Sequence, residues 1–157
     1  MTGIIFASDH AGYDFKQHLI KYTKELENVN SYVDCGTSST ESVDYPDYVH
    51  CAMQLLEKSL QNSIDSNNHI IAVLICGSAN GVSMTANKYP FVRSAICWNP
   101  EVAVAVRAHN DANVLCIPAR FTSIENAKNI LKTFLETSFE GGRHKRRVDK
   151  ISQLPIS

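Results

Sequence analysis

Short apolar runs alternate along the chain with longer segments of helical period. Continuous apolar runs of this length are typical of strands in a sheet that is covered on both faces. The predicted strands are 3–7, 31–35, 70–76, 92–97 and 114–117. Between them, apolar residues recur three and four positions apart, which is the spacing of a buried helix face. This spacing predicts helices over 12–26, from about Pro46 to Leu60, near 100–109 and over 123–137.

The alternation of strand and helix repeats about five times and predicts an α/β protein with a parallel sheet and helices on both of its faces. Right-handed crossovers restrict such a sheet to a doubly wound topology. The sequence has no internal repeat and no linker with a shift of composition, so we expect one domain over 1–157. Its last part, about 141–157, is a basic extension that begins with two glycines.

Composition and charge exclude several classes of protein. Lys and Arg number 15 and Asp and Glu 16, for a formal net charge of −1, so no basic field favours nucleic acid as a partner. No apolar run approaches the ~20 residues that span a bilayer, and no signal-peptide layout is present. The five cysteines include no Cys-x-x-Cys pair, which disfavours a disulfide framework or a structural zinc site. We therefore expect a cytoplasmic protein without membrane contact.

Polar and titratable residues follow the predicted strands. In open parallel sheets, ligands bind beyond the carboxyl ends of the strands. The segments at those ends are Ser8-Asp9-His10, Cys35-Gly36-Thr37, Cys76 to Gly81, Trp98-Asn99 and Pro118-Ala119-Arg120. The sequence thus predicts a ligand site at this edge of the sheet.

The segment from Cys76 to Ser83 has two interpretations. Its two glycines and small residues allow backbone N–H groups to converge on an anion at the start of a helix. It lacks the residues of a Walker loop and of a dinucleotide fingerprint, and an ordinary tight turn explains the same spacing. Likewise, Cys76 is either a small buried hydrophobe or a reactive thiol whose pKa is lowered by these N–H groups.

Two further groups of residues are candidates for chemistry. Asp9-His10 and His109-Asn110-Asp111 combine a histidine with a neighbouring acid, an arrangement suited to acid–base catalysis when it lies at a ligand site. Arg143 and Arg147 are four positions apart, so on a helix they point the same way and can bind one phosphate. The alternative for the basic extension is a solvated charged face.

Six motifs, in order along the chain, resemble those of type B ribose-5-phosphate isomerase. They extend from residue 8 to the basic extension, and together they are far more specific than any one of them. The motifs are Ser8-Asp9-His10-Ala11-Gly12, Asp44-Tyr45-Pro46, Ile75-Cys76-Gly77-Ser78-Ala79-Asn80-Gly81, Ala86-Asn87-Lys88, His109-Asn110-Asp111-Ala112-Asn113 and Glu140-Gly141-Gly142-Arg143-His144.

The resemblance implies a Rossmann-like fold, a three-layer α/β/α sandwich around a five-stranded parallel sheet. It also implies a homodimer, or a tetramer built from two such dimers, whose active sites are shared across the interface. The reaction it implies interconverts D-ribose 5-phosphate and D-ribulose 5-phosphate through an enediolate, a step of the pentose phosphate pathway, without a metal or an organic cofactor.

The resemblance also implies roles for individual residues. Cys76 is the base that moves the proton between C2 and C1, Ser78 helps to stabilise the enediolate, and His109 opens the sugar ring. In another branch of the family the base is a Glu after the last glycine of the loop, where this chain has Val82. The residues expected to bind substrate are Asp9, His10, Tyr45, Gly77, Asn80, Gly81, Asn110, Arg120, Arg143 and Arg147.

One position departs from the family pattern, and two other functions stay open. Ala79 replaces the usual middle glycine of the loop, which costs ~1 kcal/mol if that position needs a positive φ. The same chemistry on a hexose 6-phosphate is the close alternative, although His109 and the arginine pair favour the pentose. A phosphate-binding module without catalysis is the alternative of another class, and it does not require Cys76.

Overall fold

A five-stranded parallel sheet forms the centre of the computed structural model, which describes residues 1–62 and 69–153. The strands are β1 Thr2–Ser8, β2 Val29–Asp34, β3 His69–Cys76, β4 Ser94–Ile96 and β5 Val114–Pro118. The helices are α1 Tyr13–Thr23, α2 Tyr45–Asn62, α3 Asn80–Ala86, α4 Pro100–Asn110, α5 Ile124–Glu136 and α6 Gly142–Val148. A short 3-10 turn, His10–Gly12, links β1 to α1.

The sheet separates two apolar cores, because alternate residues of each buried strand face opposite sides. In β3, Ile71, Val73 and Ile75 pack with α1, α4 and α5, whereas Ala72 and Leu74 pack with α2 and α3. Helices therefore cover both faces, and the predicted three-layer α/β/α sandwich with a five-stranded parallel sheet is confirmed.

The strand order is β2-β1-β3-β5-β4, and every neighbouring pair is parallel. The chain first winds outward from β1 to β2 and then returns to place β3 on the other side of β1. The winding reverses between β1 and β3, and an open α/β sheet has a crevice at such a point, beyond the carboxyl ends of the strands.

The predicted elements differ from the observed ones mainly at their ends. Strand β4 is shorter than the apolar run 92–97, because Val92 is buried in a turn in which its N–H donates to the Tyr89 carbonyl. Helix α1 ends at Thr23 rather than near Leu26. Ser123 caps α5 as expected, since its side chain accepts a hydrogen bond from the Asn126 N–H. In the described part of the chain, no helix is both long and apolar enough to cross a membrane.

A lysine that the sequence did not single out is completely buried beneath the end of β2. The ammonium of Lys16 lies 2.5 Å from Asp34 Oδ1 and donates to the Thr37 carbonyl at 2.7 Å. The same Asp34 oxygen accepts the Gly36 N–H. Lys16 therefore ties α1 to the loop that leads from β2 towards α2.

Replacing Lys16 by Met removes the cation but keeps most of the apolar stem. We expect Lys16→Met to lower the free energy of unfolding by about 2–3 kcal/mol, because it removes the cation paired with the Asp34 carboxylate and the Lys16 donor to the buried Thr37 carbonyl. Urea unfolding followed by circular dichroism measures the change. Lys132→Met is the control, since Lys132 pairs with Glu136 on the surface, and its effect should stay below about 0.5 kcal/mol. Equal effects of the two changes would contradict the role of Lys16.

Candidate active site

An open cleft of about 470 Å³ lies where the winding of the sheet reverses. Its walls come from the segment after β1, the start of α2, the loop after β3 and the segment after β5. The lining residues are Asp9, His10, Ala11, Tyr45, Cys76, Gly77, Ser78, Gly81, Arg120 and Phe121. A larger hollow of about 560 Å³ lies between α4 and the segment 87–95, but it does not contain the thiol, so volume alone does not identify the site.

Cys76 ends β3 at the floor of this cleft and is 5% exposed. Its Sγ accepts a hydrogen bond from the Ala79 N–H at 3.1 Å. Burial raises the pKa of the thiol, and the charge of Asp9 raises it further, whereas backbone N–H groups of Val82, Ala79 and Ser78 lower it. The net direction is upward, so of the two interpretations of Cys76 the one with a lowered pKa is not supported, although the N–H groups are present.

Ala79, which replaces the usual middle glycine of the loop, has a left-handed conformation with φ of 63°. It is fully buried and directly precedes α3. A non-glycine residue in this conformation costs ~1 kcal/mol, and the buried methyl group offsets part of that cost. The loop therefore keeps its turn without the usual glycine, and the N–H of this strained residue is the one that reaches Cys76 Sγ.

Tyr45 and Arg120 close the cleft on two sides by packing on glycines. A Cβ on Gly81 would lie 2.4 Å from the Tyr45 ring, and one on Gly77 would lie 3.2 Å from the Arg120 side chain. The Arg120 N–H also donates to the Gly77 carbonyl at 3.0 Å. Because the Arg120 side chain is exposed, its guanidinium presents positive charge to the mouth of the cleft.

Asp9 and His10 form the wall contributed by the end of β1. Asp9 Oδ1 accepts the Gly12 N–H at 3.0 Å, which fixes the short turn after the strand. His10 Nδ1 accepts the Val43 N–H at 3.3 Å. A ring nitrogen that accepts a hydrogen bond carries no proton, so in the neutral histidine the proton is on Nε2, which is then a donor.

The remaining predicted site residues lie elsewhere in the chain. Helix α4 starts beyond the carboxyl end of β4 and runs back along the sheet, so its last turn lies at the amino edge, where Asp111 shares a hollow with Thr2 and His69. The residues on this side are His109 and Asn110 at the end of α4, and Arg143 and Arg147 on α6. Within one chain, the histidine motif therefore lies apart from the cleft at the strand ends.

The structure thus divides the predicted residues into two groups. The first group lines the cleft, and its members are Asp9, His10, Tyr45, Cys76, Gly77, Ser78, Gly81 and Arg120. Asn80 lies just outside the cleft, in a neighbouring hollow beside Ser78. The second group lies on α4 and α6, which pack against each other. Sequence reasoning missed Ala11 and Phe121 in the first group and His144 in the second. His144 was visible only as part of a family motif, because a histidine within a basic run gives no signal of burial.

Three side chains in and beside the second group are of kinds that bind metals. His109, Glu140 and His144 present ligand atoms within 4.8 Å of one another. However, the two imidazole rings are nearly parallel, with 9° between their planes, so their in-plane lone pairs do not converge on one point. Arg143 Nε also donates to His144 Nε2 at 3.3 Å, which places positive charge there. The geometry favours a stacked histidine pair over a metal centre.

A thiol, a carboxylate and a guanidinium at the switch point of a parallel sheet define a Rossmann-like α/β protein with a site for a small anionic ligand. The sequence profile of the Ribose/Galactose Isomerase family matches residues 4–151. The chain belongs to this family, in agreement with the resemblance seen in its motifs.

Relatives of known name and structure cover nearly the whole chain. Ribose-5-phosphate isomerase B of Escherichia coli is 35% identical over 154 residues, which are 98% of this chain and 97% of that protein. The crystal structure of a ribose 5-phosphate isomerase from Thermotoga maritima has 40% identity and a TM-score of 0.85, covering 97% of this chain and 98% of its own. A Mycoplasma genitalium ribose-5-phosphate isomerase B, solved with bound ribulose-5-phosphate, has 35% identity and a TM-score of 0.86, covering 97% and 95%.

Asp9→Asn tests the electrostatic influence of Asp9 on Cys76. Asn keeps the oxygen that caps the Gly12 N–H but lacks the negative charge of Asp9. That charge is one of the causes that raise the pKa of the Cys76 thiol. We expect the pKa of Cys76 to fall, so that iodoacetamide alkylates it faster at neutral pH. Peptide mass spectrometry at a series of pH values measures the rate at Cys76, and the exposed Cys51 serves as internal control. An unchanged or raised pKa would show that Asp9 does not act on the thiol.

Proposed function

We propose that the protein is an aldose–ketose isomerase that interconverts D-ribose 5-phosphate and D-ribulose 5-phosphate through an enediolate. The observation that carries the proposal is the buried Cys76 thiol, which accepts a backbone N–H bond in a cleft that also holds Asp9 and Arg120. The reaction needs a base, hydrogen-bond donors for two oxygens and a site for phosphate, and the names of the relatives point to the same substrates.

The proposed base is Cys76, because it is the titratable group at the end of the central strand. Its raised pKa favours the thiol before substrate binds and makes the thiolate a stronger base once it forms. The thiolate takes the proton from C2 of the aldose and returns it to C1. Backbone N–H groups of the loop and the Ser78 hydroxyl lie beside it and are suited to stabilise the enediolate oxygens.

We further propose that a second copy of the chain completes each site. His109, Asn110, Arg143 and Arg147 lie outside the cleft of their own chain, yet ring opening and phosphate binding need groups of these kinds beside the substrate. An exposed apolar hollow adjoins the cleft, where Trp98 and Phe121 are 54% and 72% exposed. Exposed aromatic side chains of this size are typical of protein contact surfaces. A homodimer that covers this hollow would bring the second group to the cleft.

The cysteines support a proposed location in the cytoplasm. All five are free thiols, and three of them are buried in the core. Proteins with several unpaired cysteines are typical of reducing compartments.

Isomerisation of ribose 5-phosphate tests the proposed reaction. We expect activity in the presence of EDTA and a loss of about 10²- to 10⁴-fold in kcat for Cys76→Ser, since a hydroxyl cannot replace the thiolate as base. Cys51→Ser, at an exposed position, is the control and should keep full activity. Activity on hexose 6-phosphates alone would support the alternative of the same chemistry on a hexose 6-phosphate. Full activity of Cys76→Ser would show that another group is the base.

Mixing two inactive variants tests whether the site is shared. In a homodimer with shared sites, random exchange of Cys76→Ala and His109→Asn chains makes half of the dimers mixed. Each mixed dimer has one intact site of two, so about a quarter of the activity should return. The assay follows ribulose 5-phosphate formation after mixing the purified variants. Activity that stays at the level of the separate variants would contradict a shared site.

A further inference from the structure

A second histidine lies directly against the proposed ring-opening residue. The rings of His109 and His144 are stacked, with their centroids 4.4 Å apart and 9° between their planes. His144 is buried on α6, whereas His109 is exposed at the end of α4. One ring is therefore held within the protein, and the other is open to a substrate.

The short segment that precedes α6 brings these two rings together. The Glu140 N–H donates to the Ala108 carbonyl at 3.0 Å, which fixes the segment before α6 to the end of α4. Gly141 and Gly142 then turn the chain with φ of 66° and 52°. Nothing lies within 4 Å of a Cβ at either position, so conformation and not space requires glycine there. This turn places His144 over His109.

The groups around His144 keep its ring neutral. Arg143 Nε donates to His144 Nε2, so that nitrogen carries a lone pair. Burial lowers the pKa of His144, the charges of His109, Arg143 and Arg147 lower it further, and Glu140, at 3.7 Å, acts in the opposite direction. The buried ring is therefore held by its packing and its hydrogen bond, and the exposed His109 is the ring of the pair that a substrate can reach.

We propose that His144 is a positioning residue for sugar-ring opening: by stacking, it fixes the ring plane of His109 at the exposed end of α4. The inference rests on the proposed isomerase function. In ring opening, the His109 imidazolium gives its proton to the ring oxygen as the bond from C1 to that oxygen breaks. The hydroxyl on C1 becomes the carbonyl, and its proton returns to the imidazole, so no proton is gained or lost.

The chemistry of the two substrates separates ring opening from proton transfer at carbon. Ribose 5-phosphate is mostly a closed furanose, whereas ribulose 5-phosphate has its C5 oxygen phosphorylated and stays open. Exchange of the C1 hydrogen of ribulose 5-phosphate with D₂O therefore needs Cys76 but not ring opening. An open-chain aldose, 4-deoxyribose 5-phosphate, lacks the hydroxyl that closes the ring and gives a second measure of the same step.

The experiment compares His144→Ala and His144→Phe with the wild type and with Lys145→Ala as control, since Lys145 pairs with Asp149 on the outer side of α6. We expect His144→Ala to lose about ten- to a hundred-fold in kcat/KM on ribose 5-phosphate, the range caused by misplacing a reacting group. Deuterium exchange and turnover of the 4-deoxy substrate should stay within about two-fold of the wild type. His144→Phe keeps a ring to stack on and should recover part of the lost activity.

Several results would overturn the proposal. Equal losses on the cyclic and open-chain substrates would assign His144 a general structural role. Equal losses in the Ala and Phe variants would exclude stacking as the cause, and full activity of His144→Ala would exclude any role. A wild-type protein that isomerises none of these sugars would instead overturn the proposed function itself, before any variant is considered.

Discussion

The reversal of winding between β1 and β3 is the constraint on which the whole site depends. Both strands end at the same level of the sheet, and the Asp9 N–H donates to the Ile75 carbonyl at 3.3 Å across the gap. The chain then leaves the two strands in opposite senses, towards α1 on one face and α3 on the other. An acid from one strand and a thiol from the other therefore meet in the crevice without any long loop to position them.

Opposing effects on one sulfur atom give Cys76 its chemical character. The sheet needs an apolar residue at the end of its central strand, and burial there raises the pKa of the thiol. The loop that follows supplies N–H donors that favour the thiolate, but they do not outweigh burial. The result is a group that is neutral at rest and strongly basic once ionised, which suits a step that must remove a proton from carbon.

Much of the fold was predictable because local rules and tertiary packing agree. The short, continuous apolar run 70–76 is typical of a buried strand, and Ser123 is a residue type favoured at the start of a helix. The insertion of β5 between β3 and β4 could not be predicted from periodicity, because the apolar pattern of a parallel strand does not indicate which strands lie beside it. The burial of Lys16 was also invisible, because its partners Asp34 and Thr37 are far away in sequence.

The separation of the two groups of site residues links the activity of the proposed dimer to the concentration of the protein. In a single folded chain, the thiol lies at one edge of the sheet and the stacked histidines lie at the other. In the proposed dimer, the two groups meet only while two chains are joined. Catalysis then depends on how many copies are present, and dilution alone, without unfolding of any chain, would switch it off.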